Sequence, residues 1–206
     1  MARIGIFMMR ATSRTHYDGR KKYKTYIFLR DLLDMSITLD YNFADRLVYT
    51  ELGKAESNAK TARHQPSIKV LAKACVRAIS DVSYYKESDV ICAVPPSPDK
   101  EWDLPAEIVA LVSQQTGKRD ISKAVRFTVP KKSIKAASLS DKWAVLEGGQ
   151  LTVFPNVVKG RKVILIDDKY QSGMTAQFVA SRLYEAGVEE VNGLFCIKTW
   201  RDTDNQ

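Results

Sequence analysis

The chain has 206 residues, of which 45% are apolar and 27% charged, enough to bury a sizeable core in one domain rather than two. Its formal charge of +8 points to anionic partners, whether phosphorylated small molecules, nucleic acid or an acidic protein, without choosing among them. No apolar stretch approaches the roughly 20 residues a membrane span needs, and no h-region with a small-residue cleavage site opens the chain, so a cytoplasmic protein with no membrane partner is expected. Cys75, Cys92 and Cys196 are far apart and form no C-x-x-C pair, which argues against a zinc site or disulfide framework and for buried thiols in a reducing compartment.

In chain order, residues 4–9 read as a strand, followed by a basic, turn-prone stretch over 12–24. Tyr26, Ile27, Leu29, Leu32 and Leu33 fit a short amphipathic helix, with strand pairing as the alternative. After Pro66, the spacing of Ile68, Leu71, Ala72, Cys75, Val76 and Ile79 predicts a helix. Residues 90–94 are a strand that Pro95, Pro96 and Pro98 stop. That proline loop sits before a helix carrying Ala106, Val109 and Val112. As a rigid strand-end turn it would hold Ser97 and Lys100 near the mouth of a sheet. Residues 131–143 alternate Lys, Ser and small residues, the composition of a solvated loop or of a flap whose cations close over a diphosphate. Lys135 is the candidate there, with Lys131 and Lys132 as background.

The most informative stretch is 163–175. Val163, Ile164, Leu165 and Ile166 form a short apolar run suited to a strand buried on both faces of a parallel sheet. Asp167 and Asp168 follow, expected at its carboxyl end, where open α/β sheets place their ligands. Tyr170, Gln171, Ser172, Gly173, Met174 and Thr175 then supply a glycine, small hydroxyls and a run of backbone N–H groups ahead of a helix, a cradle for phosphate. The carboxylates cannot hold that phosphate. They suit ribose hydroxyls, or Mg²⁺ bound directly or through water. A helix over 174–186 presents Phe178, Val179, Leu183 and Ala186 and stops at Gly187. A last strand over 191–197 delivers Lys198, Thr199, Trp200 and Arg201 to the same rim, where Trp200 either seals the sheet edge or stacks on a base.

Residues 163–175 resemble the signature of the type I phosphoribosyltransferases, in which two acidic residues precede a Thr/Ser-rich, Gly-containing loop that binds the 5-phosphate of phosphoribosyl pyrophosphate (PRPP). Two positions depart from the commonest pattern: Lys169 stands where an apolar residue is usual, and Gln171 with Ser172 replaces a Thr pair. Within that family the chain looks most like the ComF-like branch. Val94 with Pro95, Trp102 with Asp103, and Ala106 with Glu107 repeat that branch's order, and Lys135 with Leu139 and Ser140 matches its Lys-x-x-x-Leu-Ser segment. The likeness covers residues 68 to 200, without the zinc-module cysteines common in that branch.

The resemblance implies an open, mostly parallel α/β sheet flanked by helices over 66–206; residues 1–65 have no counterpart in it and are expected to form an elaborated N-terminal extension or hood-like segment packed on that domain. It further implies Mg²⁺-dependent transfer of a phosphoribosyl group from PRPP to a nitrogenous acceptor, releasing pyrophosphate. Asp167 and Asp168 would hold the ribose, residues 170–175 the 5-phosphate, and Pro95, Pro96, Ser97 and Lys100 the pyrophosphate, with Lys135 as a catalytic flap residue. No general base is assignable, and His16 and His64 lie outside the candidate segments. A second reading from another class is a silent PRPP- or nucleoside-phosphate-binding module, a regulator or the effector partner in a nucleic-acid-centred system such as DNA uptake or antiviral defence. The basic residues 20–24 motivate it. Either reading is compatible with a homo-oligomer.

Overall fold

The computed structural model describes residues 12–14, 17–18, 21–22, 26–29, 31–45, 47–130 and 139–199. Its strands are β1 Thr12–Arg14, β2 Tyr17–Asp18, β3 Lys21–Lys22, β4 Tyr26–Phe28, β5 Met35–Thr38, β6 Phe43–Asp45, β7 Val48–Tyr49, β8 Val90–Ala93, β9 Arg119–Asp120, β10 Val125–Phe127, β11 Leu151–Val153, β12 Lys162–Tyr170 and β13 Glu190–Lys198. Its helices are α1 Glu51–Ala62, α2 Gln65–Asp81, α3 Ser83–Glu87, α4 Leu104–Thr116, α5 Leu139–Gly148, α6 Pro155–Val158 and α7 Met174–Glu185.

Among the described residues the main sheet is seven-stranded, in the order β1-β4-β5-β13-β12-β8-β9. From β5 through β13, β12 and β8 to β9 every pairing is parallel, and only β4 and β1 run antiparallel at one edge. Period-two alternation divides the apolar residues of these strands between two cores. Ile91, Ala93, Ile164, Ile166, Leu194 and Cys196 face α1, α2 and α4, whereas Val90, Cys92, Val163, Leu165, Val191 and Phe195 face α7. The mostly parallel sheet flanked by helices is the α/β architecture expected from the sequence. The three cysteines are buried and free, with Cys75 and Cys196 Sγ atoms 3.7 Å apart.

Local chemistry sets the helix ends that matter for the site. Thr50 caps α1 by accepting from the Gly53 N–H at 2.9 Å, and Arg63 ends the helix in the left-handed region. Gly53 lets α1 lie directly on residue 42, because a Cβ there would fall 2.0 Å from the Asn42 carbonyl oxygen. Residues 41 and 42 are in turn tied to Lys198 at the carboxyl end of β13, so α1 is fixed to that edge of the sheet. Pro66 lies in the first turn of α2, where its missing N–H costs nothing.

Three sequence expectations change. Residues 26–33 are not helical, and the strand alternative holds for their first part: Tyr26, Ile27 and Phe28 form β4 against β5, Leu32 is 54% exposed, and Tyr26 Oη donates to Asp81 at 2.8 Å. The helical spacing was coincidental, and an open edge of β5 offered backbone hydrogen bonds that an isolated short helix could not match. The turn-prone stretch over 12–24 contains β1, β2 and β3, while the expected strand at 4–9 and His16 lie outside the described residues. Finally, α4 begins at Leu104, because Asp103 accepts from the Ala106 N–H at 3.2 Å; Ala106 itself is exposed, and Leu104, Ile108, Val109 and Val112 fill the core.

Candidate functional site

The site begins where the central strands stop matching in length. Pairing of β12 with β8 ends at Ile166 opposite Ala93, and Val94 N–H gives one last bond to the Ile166 carbonyl at 2.8 Å. Pro95 and Pro96 have no N–H to continue the ladder. β12 nevertheless runs on beside β13 as far as Tyr170 opposite Lys198. Asp167 and Asp168 therefore do not emerge past the strand, as the sequence suggested, but lie on an overhanging part of it with an open flank toward the proline loop.

Asp168 is buried, and its Oδ2 receives the Lys60 ammonium from the last turn of α1. Lys60 Nζ also lies 3.6 Å from Glu56 Oε1, and Glu56 Oε2 lies 3.1 Å from Lys169 Nζ. The backbone N–H of Asp168 donates to Asp167 Oδ1 at 2.8 Å. Burial, then the charge of Asp168, pushes the Asp167 carboxyl well above the usual range, only partly offset by Lys60. Burial disfavours the charge on Lys60, but Asp168, Glu56 and Asp167 outweigh it and raise its pKa. The cluster thus holds a charged lysine on one carboxylate beside a second carboxyl that retains its proton more readily. Among the described residues no group of three or more His, Cys, Asp or Glu is placed to hold a metal ion. A divalent ion on Asp168 would have to displace Lys60, so the acidic pair as arranged does not fit Mg²⁺ as a direct ligand.

Residues 171–173 turn the chain into α7, and Gly173 occupies the cap position at φ 70°. The first N–H groups of α7 have no acceptor within the helix and point out of its positive end. Gln171, Ser172, Met174 and Thr175 are half-buried around them. Tyr170 goes the other way. Its ring is buried against Phe195, with centroids 4.8 Å apart, and its hydroxyl reaches Asp31 at 3.3 Å. A Cβ on Gly173 would lie 2.2 Å from that hydroxyl, so the turn rests on the tyrosine. The Tyr170 side chain thus supports the turn from beneath and does not face the open side of residues 171–175.

Beside the overhang the proline loop forms one wall of a cleft of about 320 Å³, lined in part by Pro95, Pro96, Ser97, Lys100, Asp103 and Arg126. Ser97 Oγ donates to Asp99, and Lys100 N–H bonds the Ser97 carbonyl at 3.0 Å, which fixes the turn. Asp103 is lifted to about 6 by burial, and the neighbouring charges of Asp168 and Lys60 both act on it. That coupling joins the cleft to the acidic pair.

The structure therefore brings together Asp167, Asp168 and residues 171–175 on one rim, with Pro95, Pro96, Ser97 and Lys100 in the adjoining cleft. Lys135 and Trp200 lie outside the described residues; Leu139 and Ser140 begin α5. Sequence reasoning missed Lys60, Glu56 and Arg126, and it named Asp103 only beside Trp102 in the family pattern, not as a site residue. Asp103 carried a local signal, a capping residue two positions before Pro105. Lys60 and Glu56 carried none, because an i, i+4 Glu–Lys pair is ordinary on a solvated helix.

A scan against protein-family models finds no match, and a search of curated proteins finds none. Among solved structures the chain is similar to the allosteric regulatory enzyme of purine biosynthesis, at 23% identity and TM-score 0.40 over 62% of this chain and 25% of that one. It is also similar to glutamine PRPP amidotransferase from B. subtilis, at 20% identity and TM-score 0.43, covering 63% of this chain and 26% of that one. A third is adenine phosphoribosyltransferase from Thermoanaerobacter pseudethanolicus, at 14% identity and TM-score 0.41, covering 66% and 82%. The chain spans about a quarter of the length of the first two. Values this low assign no residue a role. What the fold and site define on their own geometry is an α/β domain with an acidic pair, a glycine turn into a helix N-terminus and a cleft along the carboxyl edge of its parallel strands.

Proposed function

We propose that this domain binds PRPP at the carboxyl edge of β12 and transfers its phosphoribosyl group to a nitrogenous acceptor, releasing pyrophosphate. The observation that carries the reading is the juxtaposition of three chemistries. A positive helix end for the 5-phosphate follows directly on two carboxyls suited to a ribose diol, and both adjoin a cleft with Lys100 and Arg126 on its wall. In this reading residues 171–175 take the 5-phosphate, Asp167 and Asp168 orient the ribose, and the proline loop takes the pyrophosphate.

The chain would contribute orientation and charge rather than a covalent nucleophile. Holding the ribose by its hydroxyls and 5-phosphate aligns the anomeric carbon with the acceptor, and cations at the cleft stabilise charge developing on the departing diphosphate. Mg²⁺ carried in with the diphosphate would add to that neutralisation. The proposed flap residue Lys135 and acceptor-stacking Trp200 belong to this reading as well. Calorimetric titration with Mg²⁺-PRPP tests it: Asp167→Asn with Asp168→Asn should lower affinity at least about tenfold, since hydrogen bonds to charged groups contribute about 1.5–3 kcal/mol each. Unchanged affinity in the double variant sinks the reading.

One observation favours a second reading, a silent binding module. Lys60 already occupies Asp168, so a sugar diol has to share that carboxylate with the lysine rather than take it alone. Pyrophosphate release across a panel of bases and amines supports the enzyme; salt-sensitive binding of DNA or RNA without turnover supports the module, in line with the charge of +8.

A further inference from the structure

Two features have no place in the family resemblance: the N-terminal segment and Lys169. The structure puts them in contact. Glu56 of α1 is only 2% exposed, ion-paired to Lys169 through Oε2, while its Oε1 has no hydrogen-bond partner and lies 3.6 Å from Lys60. A buried carboxylate of this kind needs a cation on each side, and the two lysines supply them. α1 has little freedom to withdraw, because Gly53 seats it against Asn42 and Thr50 Oγ1 donates to the Tyr41 carbonyl at 2.6 Å. The Lys60 side chain remains 46% exposed, so its head alone can swing off Asp168 while the helix stays in place.

We propose that Lys60 is a tethered cation that occupies the acidic pair in place of a divalent metal, with Glu56 and Lys169 holding it there. Lys169 then has a purpose that an apolar residue at that position could not serve. The charges of the cluster are largely balanced within the protein, so bare Mg²⁺ or Mn²⁺ gains little there, and a sugar diol binds by sharing Asp168 with Lys60 instead of recruiting metal. Metal is consequently needed only by ligands that bring a diphosphate. This deepens the phosphoribosyl reading and rests on it only for the identity of the sugar.

The direct probe is Mn²⁺ alone, titrated into the whole chain and followed by electron paramagnetic resonance. Lys60→Gln should bind Mn²⁺ at least about tenfold more tightly than wild type, given the strength of a close ion pair in this environment. Lys60→Arg, which keeps the charge, should stay as weak as wild type. Adding Asp168→Asn to Lys60→Gln should abolish the gain. Circular dichroism on each variant confirms that the helices are intact, and the arginine variant decides the matter if Lys60→Gln is misfolded, since tight Mn²⁺ binding by Lys60→Arg contradicts the idea. Equal affinity of wild type and Lys60→Gln, whether tight or weak, overturns it. A second arm uses ribose 5-phosphate, which should bind wild type equally in Mg²⁺ and in EDTA; binding only with Mg²⁺ also overturns the proposal. Failure of ribose 5-phosphate to bind at all counts against the phosphoribosyl reading, while the Mn²⁺ comparison still decides the role of Lys60.

Discussion

Replacing Gly173 by alanine should destabilise the protein far more than the added methyl group suggests. Gly173 sits at φ 70°, where an L side chain costs about 1–2 kcal/mol. The new Cβ would also fall 2.2 Å from Tyr170 Oη and 2.4 Å from its Cζ, so the ring must move. That ring is buried against Phe195 and bonded to Asp31, and overpacking of such a site costs about 1–3 kcal/mol. The combined loss is about 2–5 kcal/mol, or roughly 4–20 °C in Tm for a domain of this size. Gly117 provides the control: its φ is 72°, but nothing lies within 4 Å of the added Cβ. Gly117→Ala should therefore lose only the backbone part, about 1–2 kcal/mol. Both variants are measured by urea denaturation against wild type. If Gly173→Ala is no worse than Gly117→Ala, the claim that the tyrosine supports the turn is wrong.

Tyr85→Phe tests the core on the helical side. Tyr85 is fully buried, and its hydroxyl donates to the Gly193 carbonyl at 2.6 Å, so its removal should cost about 1–3 kcal/mol in urea midpoint experiments. Asp103 makes a pH-dependent prediction. Its carboxyl is lifted from 3.8 to about 6 in the folded state, so between those values the folded protein binds more protons than the unfolded chain and stability rises as pH falls through that window. Asp103→Asn keeps a capping side chain without the titration, and wild type should gain about 2–3 kcal/mol relative to it between pH 7 and pH 4. Parallel stability curves for the two proteins contradict the assignment.

The parallel core was legible in the sequence because its determinants are local. Continuous apolar runs at 90–94 and 163–166, with the mostly apolar stretch at 191–197, can be buried on both faces only in a sheet covered by helices, and the spacing of Ile68, Leu71, Ala72, Cys75 and Ile79 admits only a helix. The acidic pair and the glycine turn were legible for the same reason, since strand, carboxyls and turn are consecutive. What the tertiary structure decided depends on partners far apart in the chain. Tyr26 and Ile27 became a strand because β5 offered an edge, and β12 ran on past Asp168 because Pro95 ended its neighbour first. Lys60 is 108 positions from Asp168, and no periodicity or spacing reports a contact at that separation. The sequence determined which groups the site contains; packing of α1 on the sheet decided that one of its carboxylates already holds a cation, because charge buried in a low-dielectric interior must find its partner wherever the fold supplies one.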